Sequence, residues 1–179
     1  MKAEIKTVQK QFHQTNELDA MIESAKTYNQ NLPNQNGYEE ELNPLCNGYM
    51  ATIEIEKINL TVPIYHDSTE DILAKGIGHL PWSSLPVGGK GTHALLTGHS
   101  GSLSHSFFTR LDELKIKDRI HIYVADQKLD YAVKKIYTVL PNQIESLQIQ
   151  KNKDWISLIT CTPLGINTHR LIVRCERVK

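Results

Sequence analysis

The sequence predicts a mainly β protein, folded as a closed or nearly closed barrel of about eight short strands. Two observations lead to this fold class. Short apolar and β-branched runs recur through residues 50–178, and glycine, proline, asparagine or aspartate separates most of them. Between these runs, only brief stretches show the three- and four-residue spacing of a helix. Many short strands with few helices between them are typical of antiparallel-rich barrels.

The N-terminal part is predicted to be helical. Residues 2–30 are predicted to form one or two amphipathic helices, because apolar side chains follow at helical steps: Ile5, Val8, Phe12, and then Leu18, Ile22 and Ala25. Asn16 is a candidate N-cap of the second helix. We expect these helices to pack on the barrel rather than to bind a partner, since one apolar face ordinarily serves packing.

A linker is predicted to join this helical part to the barrel. Asparagine, glutamine, glycine and proline dominate residues 29–47, and such residues favour turns over regular structure. We therefore assign residues 1–47 to an N-terminal helical segment with its linker and residues 48–179 to the barrel.

The strands can be predicted in chain order. In the first, Ile53 and Ile55 alternate with polar residues, which is typical of a half-buried strand. In the second, Pro63 predicts an edge or a bulge because proline has no N–H for the ladder. The predicted strands are residues 50–57, 60–65, 78–82, 92–97, 120–124, 129–139, 155–160 and 169–178.

Short connections lie between these strands. Residues 70–75 are predicted to form a helix that Ser68 or Thr69 caps and Gly76 ends. Residues 104–111 are predicted to form one or two helical turns, residues 125–127 a hairpin turn, and residues 141–152 a loop.

The charge balance excludes some classes of function. The chain has 20 basic and 20 acidic side chains and therefore no net charge, which gives no electrostatic footprint for nucleic acid or an anionic membrane surface. No run of 18 apolar residues is present, and the first residues lack the apolar core of a signal peptide. Taken alone, these features predict a soluble protein.

Three predicted strand ends carry groups used in acyl transfer by a cysteine nucleophile. Cys161 closes one strand before Pro163, His99 follows a second strand, and Arg170 opens a third. A thiolate, an acid–base imidazole and a guanidinium that binds an oxyanion are the parts of such a site. Each group alone is weak evidence, and the three together predict a cysteine acyl-transfer centre.

The remaining cysteines and histidines do not suggest a metal or a cofactor. With three cysteines, at least one thiol stays unpaired, and we take this to be Cys161. Cys46 lies in the linker and is expected to be incidental, and Cys175 is expected to be a small buried residue. The six-residue spacing of His93, His99 and His105 does not suit a zinc site, so we predict neither metal nor cofactor.

Other polar residues near these strand ends are expected to be structural. Arg174 shares a strand face with Arg170 but lies about 13 Å further along, so a structural ion pair is expected there. His169 is expected to be a buried, hydrogen-bonded histidine, and His93 to be structural. Residues 85–89 lack the Lys-Ser/Thr and helix of a phosphate-binding loop.

Four segments carry a resemblance to the sortases, and in particular to class C, the pilus-assembling branch. Residues 158–174 (LITCTPLGINTHRLIVR) resemble the active-site signature, and residues 97–101 (TGHSG) resemble the histidine motif. Residues 53–58 and 85–89 resemble two further family segments. The resemblance implies the sortase β-barrel with N-terminal and short connecting helices.

The resemblance also implies an activity. It predicts a cysteine transpeptidase that cleaves an LPxTG-like sorting signal between Thr and Gly and joins the acyl group to a pilin lysine. Cys161 would be the nucleophile, His99 the acid–base group and Arg170 the oxyanion ligand. Thr160 would orient the acyl group, and Ser100 and His105 would line the substrate groove. No aspartate follows His99 at a position that suggests an orienting partner.

The resemblance further implies partners and a location. Proteins with an LPxTG-like signal and a pilin amine acceptor are the expected partners. The full-length protein is expected to be tethered at the outer face of a Gram-positive membrane, with this chain as its soluble ectodomain. Many relatives carry a lid with an Asp-Pro-aromatic motif. The nearest match here, Asn43-Pro44-Leu45, lacks the acid and the aromatic, so we expect a reduced or absent lid and an open groove.

Three alternatives stay open. The first is a housekeeping sortase that anchors surface proteins to a cell-wall precursor. The second is a non-catalytic surface module on the same fold, since a fold alone does not imply activity. The third is a hydrolytic cysteine peptidase, which differs only in whether water outcompetes the amine.

Overall fold

The computed structural model describes residues 15–32, 36–101, 105–143 and 145–178. Eight strands form a closed barrel in the order β1-β2-β3-β4-β7-β8-β6-β5, which confirms the predicted fold class. The strands are Tyr49–Ile55 (β1), Leu60–His66 (β2), Ile77–His79 (β3), Thr92–Thr97 (β4), Arg119–Val124 (β5), Gln127–Val139 (β6), Asp154–Thr162 (β7) and His169–Arg177 (β8). The two α-helices of the described ranges are Thr15–Gln30 (α1) and Glu70–Lys75 (α2).

The barrel mixes two kinds of strand pairing. Six of its eight strand pairs are antiparallel, and β2–β3 and β4–β7 are parallel. In a parallel pair, both strands end at the same edge of the sheet. The segments that follow β4 and end β7 therefore meet at one end of the barrel, which is where His99 and Cys161 lie.

The described residues contain three buried apolar clusters, two of which lie on opposite faces of the sheet at β4, β7 and β8. The main cluster fills the barrel, and Ile53, Leu96, Leu158 and Val173 are among its fully buried members. The smaller cluster lies on the other face of β4, β7 and β8 and contains Leu95, Leu147, Ile159 and Ile172. Neighbouring residues of a strand face opposite sides, and β7 contributes residues to both of these clusters. This strand is therefore buried on both faces, and its register is strongly specified.

Helix α1 packs on the barrel as predicted. The apolar residues of its buried face are Leu18, Ile22, Ala25 and Tyr28. Asn16 lies inside the helix, so the prediction that it is the N-cap is wrong. The first predicted helix, around residues 5–12, lies outside the described residues.

The described part of the linker is folded onto the barrel. Leu42 is 1 % exposed and belongs to the main cluster. The Tyr38 hydroxyl lies 2.8 Å from His79 Nδ1, and the two rings stack. His79 Nε2 faces the Ser84 carbonyl and must donate to it, so Nδ1 accepts from Tyr38. The Glu41 carbonyl lies 2.7 Å from His66 Nε2. Residues 36–48 are thus irregular but anchored.

The short connections differ in detail from the predictions. Helix α2 has the predicted bounds, but Thr69 makes no side-chain capping hydrogen bond and Gly76 is extended rather than left-handed. A Cβ at Gly76 would lie 2.6 Å from the Pro63 carbonyl oxygen, so close packing requires the glycine. Pairing of β2 with β3 begins at Ile64, which leaves Pro63 at an edge on that side, as expected. Strand β3 ends at His79 rather than residue 82 because Pro81 cannot donate to a ladder.

Two further segments connect β4 to β5 and β5 to β6. Residues 105–110 form turns instead of the predicted helix, and a 3₁₀ helix follows at Leu111–Glu113. Phe108 and Leu111 nevertheless point into the main cluster. The predicted hairpin is present, since Val124 pairs with Gln127 and only two residues connect β5 to β6. No helix of the described ranges is long and apolar enough to cross a membrane.

Candidate active site

The parallel pair β4–β7 brings the histidine segment beside the cysteine. Thr97 pairs with Ile159, and His99 and Cys161 each lie two residues further along. The Gly98 N–H donates to the Ile159 carbonyl at 3.1 Å. The Ser100 hydroxyl donates to the Cys161 carbonyl at 2.8 Å. His99 is therefore flanked on both sides by hydrogen bonds to β7.

The antiparallel pair β7–β8 brings the arginine opposite the cysteine. Cys161 and Arg170 are direct partners across the ladder. Directly opposite residues share a sheet face, and their Cβ atoms lie about 4.5–5.5 Å apart. The Arg170 Nη1 donates to the carbonyls of Asn167 and His169, at 3.1 and 3.0 Å. The three candidate groups thus converge at one end of the barrel.

A carboxylate that the sequence did not reveal contacts His99. Glu70 Oε2, in the first turn of α2, lies 3.2 Å from His99 Nε2. Helix α2 connects β2 to β3, and the start of β3 lies beside the end of β4, since Gly78 pairs with Thr97. No short-range spacing could predict this pair, because it depends on the parallel β2–β3 crossover.

An apolar cavity lies beside these groups. Its volume is about 240 Å³, and Arg170 forms part of its wall. We name it the Arg170 cavity, and its other lining residues include Leu73, Leu80, Trp82, Thr97, Leu140, Ile159 and Ile172. Trp82 and Leu140 remain about half exposed, at 54 % and 44 %. The cavity offers apolar surface that a peptide could cover.

A family model for the sortase domain matches residues 53–178, which span all of the barrel except the start of β1. The chain belongs to the sortase family. This match, together with the convergence of a cysteine, a histidine and an arginine on a closed barrel, confirms the family recognised from the sequence.

Individual relatives support the same assignment. The chain is 33 % identical over 129 residues to sortase A of Bacillus anthracis, a match that covers 72 % of this chain and 60 % of that protein. It is 38 % identical to the crystal structure of sortase C1 from Streptococcus agalactiae, with a TM-score of 0.93 and coverage of 100 % and 99 % of the two chains. The sortase C structure of Streptococcus pneumoniae is 37 % identical, with a TM-score of 0.89 and coverage of 97 % and 93 %.

These comparisons also bear on the class. The two sortase C structures align with nearly the whole of this chain, which supports the class C assignment. By contrast, the chain spans about 60 % of the length of the curated relatives that it matches.

Thr160, Ser100 and His105, the three residues predicted to contact substrate, have different surroundings in the structure. Thr160 is only 4 % exposed, and its hydroxyl donates to the Gly98 carbonyl at 2.8 Å. This hydroxyl ties the histidine segment to β7, and the orienting role expected of Thr160 stays a prediction. The Ser100 hydroxyl likewise donates its hydrogen within the protein, to the Cys161 carbonyl. His105 is exposed in a turn and does not line the Arg170 cavity.

Arg174 is structural, but not through the predicted ion pair. Among the described residues, no carboxylate lies within ion-pair distance of its guanidinium. The guanidinium instead lies 4.5 Å from the centre of the Trp155 ring, donates to the Tyr137 hydroxyl at 2.7 Å, and donates to the Ser146 carbonyl. Cation–π contact and hydrogen bonds hold the loop after β6 in place.

The other histidines differ from His99 in burial. His93 is fully buried, and its Nε2 lies 2.7 Å from the Ser157 hydroxyl. Burial lowers the pKa of His93 to about 4, which confirms a structural, neutral histidine. His169 is half-buried with its Nδ1 2.9 Å from the Thr168 hydroxyl. The prediction that it is buried is wrong because β8 only begins at this residue and its neighbours in the loop are exposed.

The three thiols are all free but lie in different environments. Cys46 is exposed, Cys161 is half-buried, and Cys175 is fully buried. Burial raises the pKa of the Cys175 thiol well above its ordinary value, so this thiol stays protonated at neutral pH. Cys161 therefore combines access to solvent with a histidine and an arginine nearby.

Proposed function

We propose that this sortase is a cysteine transpeptidase that cleaves an LPxTG-like sorting signal between Thr and Gly and joins the acyl group to a lysine amine of a pilin. The observation that carries the proposal is the ladder position of Cys161 directly opposite Arg170, with His99 held beside the same strand. This arrangement puts a nucleophile, an acid–base group and a fixed cation around one substrate carbonyl.

The first half-reaction forms a thioester. The Cys161 thiolate attacks the carbonyl carbon of the signal threonine, and the negative charge moves to the carbonyl oxygen. As the tetrahedral intermediate collapses, the C–N bond to glycine breaks and protonated His99 gives its proton to the leaving amine. The N-terminal part of the signal remains bound to Cys161 as a thioester.

The second half-reaction transfers the acyl group. The acceptor lysine reacts as the neutral amine, after its ammonium has lost one proton to solvent. Its nitrogen attacks the thioester carbonyl, and neutral His99 takes one of the two remaining N–H protons. The C–S bond breaks, the Cys161 thiolate leaves, and an isopeptide bond forms. The proton remains on His99, so the enzyme returns to its starting charge state.

Arg170 is proposed to stabilise the oxyanion in both steps. A guanidinium has five N–H donors and stays charged at all relevant pH values. Its Nη1 contacts two loop carbonyls, and among the described residues no group accepts from Nε or Nη2. Those donors can reach a substrate oxygen next to Cys161.

The Arg170 cavity is proposed to bind the Leu-Pro part of the signal. Its wall combines apolar side chains with Arg170, so a peptide bound there would have its threonine carbonyl near the thiol. The apolar contacts would supply affinity by removing surface from water.

The acceptor is proposed to be a pilin lysine because the two sortase C structures match nearly the whole chain. The partners are then pilins or other surface proteins with the signal, and the site of action is the outer face of a Gram-positive membrane. One observation favours a cell-wall precursor as acceptor instead. Residues 36–47, the described part of the linker where the family's lid is expected, do not line the Arg170 cavity.

Mass spectrometry of a peptide reaction tests the proposal. The purified chain is incubated with a peptide containing an LPxTG-like signal, with and without purified pilin, and Cys161→Ala is the control. We expect cleavage between Thr and Gly, an acyl adduct on Cys161, and a pilin–peptide isopeptide bond. Transfer only to a cell-wall precursor analogue would support the housekeeping alternative. Hydrolysis with every amine would support a peptidase, and no cleavage would overturn the activity.

A further inference from the structure

We propose that Glu70 is a positioning residue for His99: its carboxylate accepts the Nε2–H, fixes the orientation of the ring and leaves Nδ1 for the acid–base steps. The inference rests on the proposed transpeptidase function. It adds a fourth side chain, from α2, to the three groups that the strands supply.

The contact specifies which ring nitrogen carries the proton. Glu70 Oε2 lies 3.2 Å from His99 Nε2. An ionised carboxylate only accepts hydrogen bonds, so Nε2 must carry the hydrogen. In the neutral ring, Nδ1 then holds the free lone pair and is the nitrogen that can take a proton.

The backbone on the His99 side of this contact is closely packed. The His99 carbonyl accepts from the Phe108 N–H at 2.9 Å. A Cβ at Gly98 would lie 2.7 Å from Ile77 Cδ1 and 2.9 Å from the Phe108 ring. The histidine segment therefore lies against β3 and the turn after β4 with no spare room.

The backbone on the Glu70 side is anchored as well. Leu73 of α2 is buried at 8 % exposure. The Lys75 Nζ lies 4.4 Å from the centre of the Tyr65 ring, and Gly76 packs against the Pro63 carbonyl. The helix is short, but its position is fixed by β2, so the Glu70 side chain starts from a defined place.

The expected effect is on catalysis and not on stability. The Glu70 side chain is 88 % exposed and that of His99 is 37 % exposed, so water screens the pair and it contributes little to folding. Ser68 and Leu73, on either side of Glu70 in the sequence, line the Arg170 cavity. A peptide bound in that cavity would lie against the same segment and remove water from the pair, which strengthens the contact during the reaction.

Variants at two neighbouring acids test the proposal. Asp71, the matched control, follows Glu70 on the same helix and is exposed. We expect Glu70→Ala to lower kcat about fivefold at an unchanged KM, which is the upper end for an exposed pair. Glu70→Gln should stay within about twofold of wild type, because its amide oxygen can accept the same N–H. Asp71→Ala should leave kcat unchanged.

Three kinetic results would overturn the proposal. The first is Glu70→Ala with kcat within about twofold of wild type. The second is a change in KM with kcat unchanged, which would make Glu70 a substrate contact. The third is Glu70→Gln as slow as Glu70→Ala, which would mean that charge rather than ring orientation is responsible.

Nitrogen NMR of the histidine ring separates this proposal from the proposed activity. The His99 signals are assigned by comparison with His99→Ala. We expect a proton on Nε2 of the neutral wild-type ring, and a changed Nε2 environment in Glu70→Ala but not in Asp71→Ala. A neutral ring with its proton on Nδ1 would overturn the proposal whether or not peptide cleavage is found. Wild-type protein that shows the expected spectrum but cleaves no peptide would overturn the activity alone.

Discussion

The contrast between Arg170 and Arg174 gives the sharpest prediction for the site. Both lie on one face of β8, four residues apart, and their ladder partners on β7 are Cys161 and Ser157. At about 3.3 Å per residue, Arg174 starts about 13 Å from the position of Arg170. An oxyanion donor has to lie within about 3.1 Å of the oxygen. Only Arg170 can meet this condition at the Cys161 thioester.

Substitutions of the two arginines should therefore have different effects. Arg170→Ala should lower kcat/KM about 10²- to 10³-fold, the scale for losing one oxyanion donor. Its free energy of unfolding should change by less than about 0.5 kcal/mol, since its visible contacts are with loop carbonyls at the end of the strand.

Arg174→Met should lower stability instead. The substitution removes the cation–π contact with Trp155 and the hydrogen bonds to Tyr137 and Ser146 while keeping an apolar stem. The sum of these losses is about 2–4 kcal/mol. At a temperature where the variant is fully folded, kcat/KM should stay within about threefold of wild type.

The assay combines cleavage of a fluorescence-quenched sorting-signal peptide with urea unfolding of each variant. Arg170→Lys serves as a further control, because it keeps the charge but loses the planar fork, and we expect an intermediate rate. Equal losses of kcat/KM at unaltered stability for Arg170→Ala and Arg174→Met would refute the division of roles. So would full activity of Arg170→Ala.

Three further predictions follow from the site and the core. Cys161→Ala should abolish peptide cleavage and acyl-adduct formation at unchanged stability, and any adduct seen by intact-protein mass spectrometry would contradict the assignment of the nucleophile. Gly98→Ala should lower stability by about 1–3 kcal/mol and slow cleavage, because its Cβ would meet Ile77 at 2.7 Å, and an unaltered urea midpoint and rate would show that the segment can shift. Burial lowers the pKa of His79 and of His93 to about 4 in the folded protein. Between about pH 6.5 and 4, each of these histidines therefore binds more protons in the unfolded chain than in the folded one. Stability should be complete above pH 6.5 and fall as the pH drops through this window, by up to about 1.4 kcal/mol per pH unit for each histidine, and a flat urea midpoint from pH 7 to 5 would be contrary to this.

The strand ends could be predicted because local signals define them. Pro163 cannot continue a ladder, and the apolar runs before Cys161 and after Arg170 fix two strands whose connection is short enough for a hairpin. That connection favours antiparallel pairing and so predicts Arg170 near the Cys161 end of β7, whereas their direct opposition is a finding of the structure. This part of the site depends on neighbouring stretches of sequence and could therefore be predicted from local signals.

The remaining features depend on contacts between distant segments. Glu70 reaches His99 only because β2 and β3 are parallel and α2 crosses between them. The Thr160 hydroxyl binds Gly98 across the β4–β7 pair, so its role could not be separated from substrate contact by sequence alone. Arg174 contacts an aromatic ring where an acidic partner was expected, because a guanidinium can be stabilised by either a cation–π contact or an ion pair.

The mixed pairing of the barrel explains why the site can exist. In a purely antiparallel barrel, a strand that ends at His99 would lie beside strands that start at that edge, and the end of β7 would be at the opposite edge. The parallel β4–β7 pair puts two strand ends together, and the antiparallel β7–β8 hairpin adds the first residue of the next strand, Arg170. A register shift of two residues between β4 and β7 would keep every side chain on its own face but move Cys161 about 6.6 Å relative to His99. The hydrogen bonds from Ser100 and Thr160 across this pair help to hold one register, and with it the placement of His99 beside Cys161.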